Sequence, residues 1–317
     1  MTILVTGGAG FIGSHLTERL LADGCEVVCL DNFNDYYDPA IKKANIRTAL
    51  ANANCTLVEG DILDAGLLGS LFAAHDFKLI VHLAARAGVR PSLADPILYE
   101  QVNCEGTLNL LERARRGDVD NFVFGSSSSV YGINSKVPFS EADPINQPIS
   151  PYAATKRAGE LLCYTYHHLY GLPVTCLRFF TVYGPRQRPD MAIHKFTKLI
   201  DAGEEITLFG DGKSRRDYTY VDDILDGVTR AMDKPAGYKI YNLGESRTIE
   251  LLDLIRLIES ALGKEAEINW QPNQPGDVPI TYADIALAKR DLGYDPKTRI
   301  EEGIPRFIEW YLSSLKS

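Results

Sequence analysis

Ile3-Leu4-Val5-Thr6-Gly7-Gly8-Ala9-Gly10-Phe11-Ile12-Gly13 is the stretch that decides the fold: an apolar run gives way to glycines three apart, with helix-forming sequence beyond. A buried strand, a tight turn and a helix packed close to the strand each need part of that pattern, because a missing side chain permits close backbone approach. Outward from it, short apolar runs recur at residues 26–30, 56–59, 79–82, 122–124 and 174–177. Runs that are apolar on both faces suit parallel strands covered by helices. The intervening segments 12–23, 40–51, 65–75 and 94–116 read as helices, with Gly24 and Gly117 where two of them should stop. A further helix is expected from Ser150-Pro151, as cap and first position, to about Tyr170. The alternation predicts an α/β chain on a doubly wound parallel (Rossmann) sheet, with ligand sites at the carboxyl ends of the strands.

Beyond residue 180 the regularity breaks. Loops rich in Arg, Pro, Gly and Asp at 184–190, 210–217 and 271–279 interrupt shorter elements. The expected division is a dinucleotide-binding domain over 1–178, to which the chain returns around 216–247, and a smaller interleaved α/β substrate-binding lobe over 179–215 and 248–317. With 317 residues, 45% of them hydrophobic, the chain can bury a large core. A net charge of −9 argues against nucleic acid or an anionic membrane as partner. The six cysteines form no CxxC pair and no histidines stand at metal-ligand spacing, so free thiols in a reducing compartment and no metal are expected. The first residues lack the pattern of a signal peptide, and no apolar run reaches membrane-spanning length. A soluble cytoplasmic protein is the expectation.

Gly7, Gly10 and Gly13 lie between a strand and a helix, which is the context a dinucleotide pyrophosphate needs. The phosphates would rest on the N–H groups that open the helix, where the macrodipole favours negative charge. Asp31 closes the second strand. A carboxylate there accepts hydrogen bonds from the adenosine ribose hydroxyls and repels a 2′-phosphate, so NAD is favoured over NADP. Asp61, closing the third strand, is a weaker candidate for the adenine edge, and Leu83-Ala84-Ala85 after the fourth offers small side chains beside the cofactor.

Tyr152 and Lys156 stand four apart near the start of a helix and therefore share a face. A tyrosine with its usual pKa of about 10 is a poor base at neutral pH. A nearby ammonium favours the phenolate and makes it a usable one. The YxxxK pattern arises easily by chance, but Ser126-Ser127-Ser128-Ser129 directly follows the fifth strand. There Ser127 is placed to donate to a reacting oxygen and share its proton with Tyr152.

These residues resemble the extended short-chain dehydrogenase/reductase family, in its nucleotide-sugar epimerase branch. The likeness covers essentially the whole chain, through TGGAGFIG, DNFNDYYDP, GDI, HLAA, the serine run with VYG, SPYAATK, LRFFTVYGP, SRRDYTYVDD and PGDVP. It places the family's catalytic serine, tyrosine and lysine on Ser127, Tyr152 and Lys156. It places cofactor contacts on the glycine loop, Phe11, Ile12, Asp31, Asn32, Asp61, Ile62, Leu83, Ala84, Ala85, Asn103 and Phe179. Residues 31–39, 87–90, 178–192 and 274–279 look most like UDP-glucuronate 4-epimerases. Thr181 and Gln274 stand where the galactose-type enzymes usually carry Asn and Arg, and related dehydratases carry an acid beside the catalytic hydroxyl where this chain has Ser126 and Ser128. By the same likeness Arg216 binds the diphosphate, Asp277 lies near the uridine ribose, and the chain forms a homodimer through helices 94–116 and 152–170.

The implied reaction removes the C4 hydroxyl proton with Tyr152 while hydride passes to NAD, turns the 4-keto sugar over, and returns the hydride to its other face. For a hexuronate the ketone makes a β-keto acid, so the carboxylate must be held against loss of CO₂. Arg188 with Ser128 and Ser129 is the expected clamp, since a guanidinium matches a carboxylate in a bidentate fork. Arg90 is a weaker alternative. Other readings are a 4-epimerase of neutral UDP-hexoses or their N-acetyl forms, a net oxidoreductase releasing NADH, and a non-catalytic dinucleotide sensor.

Overall fold

The computed structural model describes residues 1–272 and 278–315, in two compact units. Unit 1 comprises residues 1–133, 144–178 and 225–241, and unit 2 comprises 134–143, 179–224 and the chain from 242 onward. Among the described residues no helix is long and apolar enough to cross a membrane.

Unit 1 is built on strands β1 (Thr2–Thr6), β2 (Glu26–Asp31), β3 (Cys55–Glu59), β4 (Phe77–His82), β5 (Asn121–Ser127) and β6 (Val174–Phe179). A seventh strand, β11 (Tyr238–Leu243), is reached after four strands of unit 2. Their order is β11-β6-β5-β4-β1-β2-β3, with parallel pairing from β5 through to β3. This is the expected doubly wound arrangement. Its switch point lies at β1, which is flanked by β2 on one side and β4 on the other. Ile3, Leu4 and Val5 are fully buried, as are Val27 and Val28, because helices cover both faces of the sheet.

Several helices of unit 1 begin where a short polar side chain satisfies unpaired N–H groups of the first turn. Asp38 accepts from Ala40 N before α2 (Pro39–Leu50), and Asp64 accepts from Gly66 N and Leu67 N before α3 (Ala65–Ala74). Ser150 accepts from Ala153 N at 3.1 Å before α7 (Pro151–Tyr170), which ends at Gly171 in the left-handed conformation. The glycine loop leads into α1 (Phe11–Ala22).

The segment expected as one helix over 94–116 is instead three pieces, with a separate short helix just before them. A short α4 (Val89–Ala94) precedes α5 (Pro96–Glu100), then comes a π-helical turn over Gln101–Glu105, then α6 (Gly106–Ala114). Asp95 breaks the first join by capping α5 through Leu98 N, with Pro96 at the first helical position. The π turn is fixed by hydrogen bonds of Asn103, described below.

Among its described residues, unit 2 carries three two-stranded pairs. The strand β7 (Thr181–Tyr183) runs parallel to β10 (Tyr218–Tyr220), β8 (Ile206–Phe209) parallel to β13 (Ile268–Gln271), and β9 (Arg215–Arg216) antiparallel to β12 (Ile249–Glu250). Helices α8 (Ala192–Ala202), α10 (Leu251–Leu262), α11 (Ala286–Leu292) and α12 (Ile300–Ser314) surround them, and α9 (Val221–Met232) carries the chain back into unit 1. The segment 134–143 belongs to unit 2 because Phe139 bonds there through its backbone. Phe139 N donates to Tyr282 O, and its carbonyl accepts from Asp284 N and Asn242 Nδ2.

Candidate active site

At the end of β1 the chain turns through Gly7 at φ +70°, a left-handed conformation open to glycine. A Cβ on Gly7 would stand 2.8 Å from Ala84 N, and one on Gly13 would overlap Gly7 O. Gly10 caps α1 without a side chain, and the first turn of that helix holds no acidic residue. The N–H groups opening α1 thus face a bare, electropositive hollow whose closeness is set by missing side chains. That hollow fits a dinucleotide pyrophosphate.

The acidic partner is tied into the same hollow. Asp31 is buried, with Oδ2 accepting from Ala9 N at 3.1 Å and Oδ1 from Phe33 N at 3.0 Å. It braces the glycine turn from the end of β2. Asn32 Nδ2 donates to Asp61 Oδ2 at 2.7 Å, and Asp61 Oδ1 accepts from Leu63 N. Two of the expected cofactor residues, Asn32 and Asp61, are therefore joined, whereas Phe11 and Ile62 are buried in the core. On the other side of β1, Leu83 N donates to Thr6 O and Ala84 N to Thr6 Oγ1. Ala85 follows in the same loop and is half-buried.

A buried relay connects that loop to the catalytic helix. Thr107 Oγ1 gives its one proton to Asn103 O, which puts the His82 proton on Nε2, so Thr6 Oγ1 accepts from Ala84 N and donates to His82 Nδ1 at 2.8 Å. His82 Nε2 then donates to Thr107 Oγ1 at 3.0 Å, which donates to Asn103 O. Asn103 holds Arg86 through both N–H and C=O and donates to Thr155 Oγ1, which donates to Tyr152 O. Burial drives the His82 pKa down to about 3, so the ring stays neutral and keeps this tautomer.

Tyr152 and Lys156 occupy the first two turns of α7. Lys156 is buried, donates to Gly125 O at 2.8 Å and stands over the Phe124 ring at 5.1 Å, so it is anchored two residues before Ser127. Burial lowers its pKa to about 8. Ser127 Oγ donates to Ser129 Oγ at 3.1 Å and accepts from Ser129 N, which fixes the hydroxyl at the start of a short 3₁₀ turn that also holds Ser128. Tyr152 meets Tyr99 edge-on, with ring centroids 6.2 Å apart.

The remaining expected residues are distributed as follows. Arg90 is exposed on α4, and Phe179 ends β6 half-buried. In unit 2, Thr181 opens β7 with its N–H on Asp217 O, and Arg216 in β9 donates through Nη1 to Arg215 O. Arg188 is already in a two-point ion pair, Nε to Asp190 Oδ1 at 2.9 Å and Nη2 to Oδ2 at 2.8 Å. Gln274 and Asp277 lie outside the described residues.

Comparison with known proteins decides the family. The GDP-mannose 4,6-dehydratase family profile matches residues 4–307. The chain belongs to that family. Arabidopsis thaliana UDP-glucuronate 4-epimerase 4 is 46% identical over 331 residues, spanning 99% of this chain and 76% of its own length. Among solved structures, UDP-glucuronic acid 4-epimerase from Bacillus cereus, in complex with UDP-glucuronic acid and NAD, is similar with a TM-score of 0.92 and 37% identity, over 99% of this chain and 100% of that one. UDP-glucose 4-epimerase from Thermotoga maritima, with UDP-glucose, has a TM-score of 0.92 and 36% identity over the same shares.

Within this family member, two supporting residues escaped sequence reasoning. Glu160 stands one turn beyond Lys156, and both its oxygens are engaged by Arg178, through Nε at 2.8 Å and Nη2 at 2.9 Å. Glu160 Oε1 also accepts from Ser126 Oγ at 2.7 Å, and Arg178 Nη1 donates to Tyr131 Oη at 3.0 Å. The pair is buried, and it pins both flanks of the serine turn that carries Ser127. The helical spacing 152, 156, 160 was a signal for Glu160. Nothing local pointed to Arg178.

Proposed function

We propose that the protein is an NAD-dependent isomerase that inverts C4 of a UDP-hexuronate, interconverting UDP-glucuronate and UDP-galacturonate. The observation that carries this reading is Lys156, seated on Gly125 beside Ser127 and one helical turn from Tyr152, in the same unit as the glycine hollow. NAD, when bound, supplies a hydride acceptor at C4 that later serves as donor, so the balance needs no outside oxidant. Tyr152 takes the C4 hydroxyl proton in the first half-reaction and gives it back in the second. The Lys156 ammonium stabilises the phenolate, and Ser127 donates a hydrogen bond to the C4 oxygen.

The family's name describes a dehydration, and the residues beside Ser127 bear on that chemistry. Loss of water from a sugar needs a second proton removed, by an acid–base group next to the reacting carbon. Ser126 and Ser128 flank Ser127, and Ser126 is committed to Glu160. Neither is a base, which supports epimerisation.

Arg188 is proposed as the ligand of the hexuronate carboxylate, exchanging Asp190 for it, and Arg216 as a ligand of the diphosphate. The Arg188–Asp190 pair also favours a second reading, a 4-epimerase of neutral UDP-hexoses, in which that guanidinium stays on Asp190. Product analysis by NMR with UDP-glucuronate, UDP-glucose and UDP-N-acetylglucosamine separates the two. UDP-galacturonate is expected as the fastest-formed product. Faster turnover of the neutral sugars supports the second reading, and a decarboxylated 4-keto pentose overturns the first.

A homodimer is part of the proposal. Helices α6 and α7 expose Leu108, Leu161, Tyr164 and Leu169, the last three at half or more of their surface. Sedimentation of the wild type should give a dimer, and Leu161→Glu should shift it towards monomer.

A further inference from the structure

The loop 33–38, which follows β2 and Asn32, is not used by the chemistry above. Phe33 takes φ +47° with its N–H on Asp31 Oδ1, and Tyr36 N donates to Asn34 Oδ1. The turn carries the Tyr36 phenol across to Ala87, where it donates to the carbonyl at 2.8 Å. Ala87 lies in the loop after β4, and β1, with the glycine hollow at its end, stands between β2 and β4. The bond therefore spans the crevice where the strand order reverses and where doubly wound sheets hold dinucleotides.

The surroundings are shaped to this bond. Gly88 has φ +107°, and a Cβ there would stand 2.9 Å from Tyr36 Oη, so a side chain at 88 would obstruct the phenol. The Arg86 guanidinium lies over the Tyr36 ring at 5.8 Å, while the Arg86 backbone is clamped by Asn103. The same Ala87 carbonyl accepts from Tyr99 Oη at 2.7 Å, and Tyr99 is the ring set edge-on against Tyr152. One carbonyl thus joins the adenosine side of the crevice to the catalytic side.

We infer that Tyr36 is a cofactor-retaining residue: its hydroxyl closes a strap over the crevice, and entry and exit of NAD require the bond to Ala87 O to open. The inference rests on the assignment of NAD and not on the identity of the sugar. An enzyme that returns the hydride it removes gains from slow cofactor exchange, because a reduced cofactor lost between half-reactions ends the cycle.

Tyr36→Phe keeps the ring under Arg86 and removes the hydroxyl. Stopped-flow exchange of NAD against a fluorescent etheno-NAD should show association and dissociation both faster, by about three- to tenfold, the range expected from one hydrogen bond. The equilibrium affinity should change less than either rate. Tyr37→Phe, whose ring lies beside Lys42 instead, should leave both rates within about twofold. An unchanged dissociation rate in Tyr36→Phe overturns the inference. So does faster dissociation with unchanged association, which makes Tyr36 an ordinary contact of the bound cofactor. Neither measurement uses a sugar, so a wrong substrate assignment leaves these results standing.

Discussion

Lys156 decides the pH behaviour of the site. Its ammonium is the form that stabilises a phenolate, and burial brings its pKa down to about 8. kcat/KM is therefore expected to fall above about pH 8, approaching tenfold per pH unit, and a profile flat to about pH 9.5 contradicts this role. Tyr152→Phe should lower turnover by about a hundredfold or more, the scale of lost general acid–base catalysis, while NAD binding measured by calorimetry persists. Glu160→Gln leaves Arg178 buried with half its partner and should cost about 3 kcal/mol or more in denaturant unfolding. Tyr152 and Lys156 were legible because their chemistry demands one helical spacing. Arg178 was not, because it sits in an ordinary strand and only the packing of α7 on the sheet brings it to Glu160. The Asp190 partner of Arg188 stood two residues away, and an acid that close to a proposed carboxylate ligand was readable as a competitor.

Among the elements, the strands and their parallel arrangement could be read directly, since burial on both faces leaves a continuous apolar signature. The region 89–114 could be read only in part. Asp95-Pro96 is a legible helix start inside the segment taken as a single helix, because a capping carboxylate and a proline at the first position favour a new beginning. The π turn at Gln101–Glu105 has no local signal. It is sustained by Asn103, whose partners Arg86 and Thr155 come from the loop after β4 and from α7. Asn103→Ala removes three hydrogen bonds that join these elements. NAD affinity is expected to weaken about tenfold, and unchanged affinity by calorimetry would show that the turn does not serve the cofactor.

Across the whole molecule, the two units should respond to acid in opposite directions. In unit 1 burial lowers His82 from 6.5 to about 3, so between those values the folded state binds fewer protons than the unfolded state, and the stability it contributes is complete above about 6.5 and is lost as pH falls toward 3. In unit 2 burial raises Asp217 from 3.8 to about 6 and Glu245 from 4.5 to about 7, despite the four donors on the Asp217 carboxylate. There the folded state binds more protons. The stability these two groups contribute is complete at low pH and is lost as pH rises through about 6 and 7. Hydrogen exchange at about pH 7.5 and 5.5, corrected for intrinsic rates, should show protection falling around β4 and rising around β10. Parallel changes in both would contradict these assignments, and Glu245→Gln should flatten the response of unit 2. That 134–143 belongs to unit 2 was not readable from the sequence alone, since it joins through backbone bonds of Phe139 to residues near 282. The catalytic cycle itself is tested most directly with UDP-glucuronate deuterated at C4. UDP-galacturonate that still carries deuterium at C4, with no label in water and no accumulated NADH, is the expected result. Deuterium released to solvent, or an NAD-loaded protein that forms no UDP-galacturonate, would contradict it.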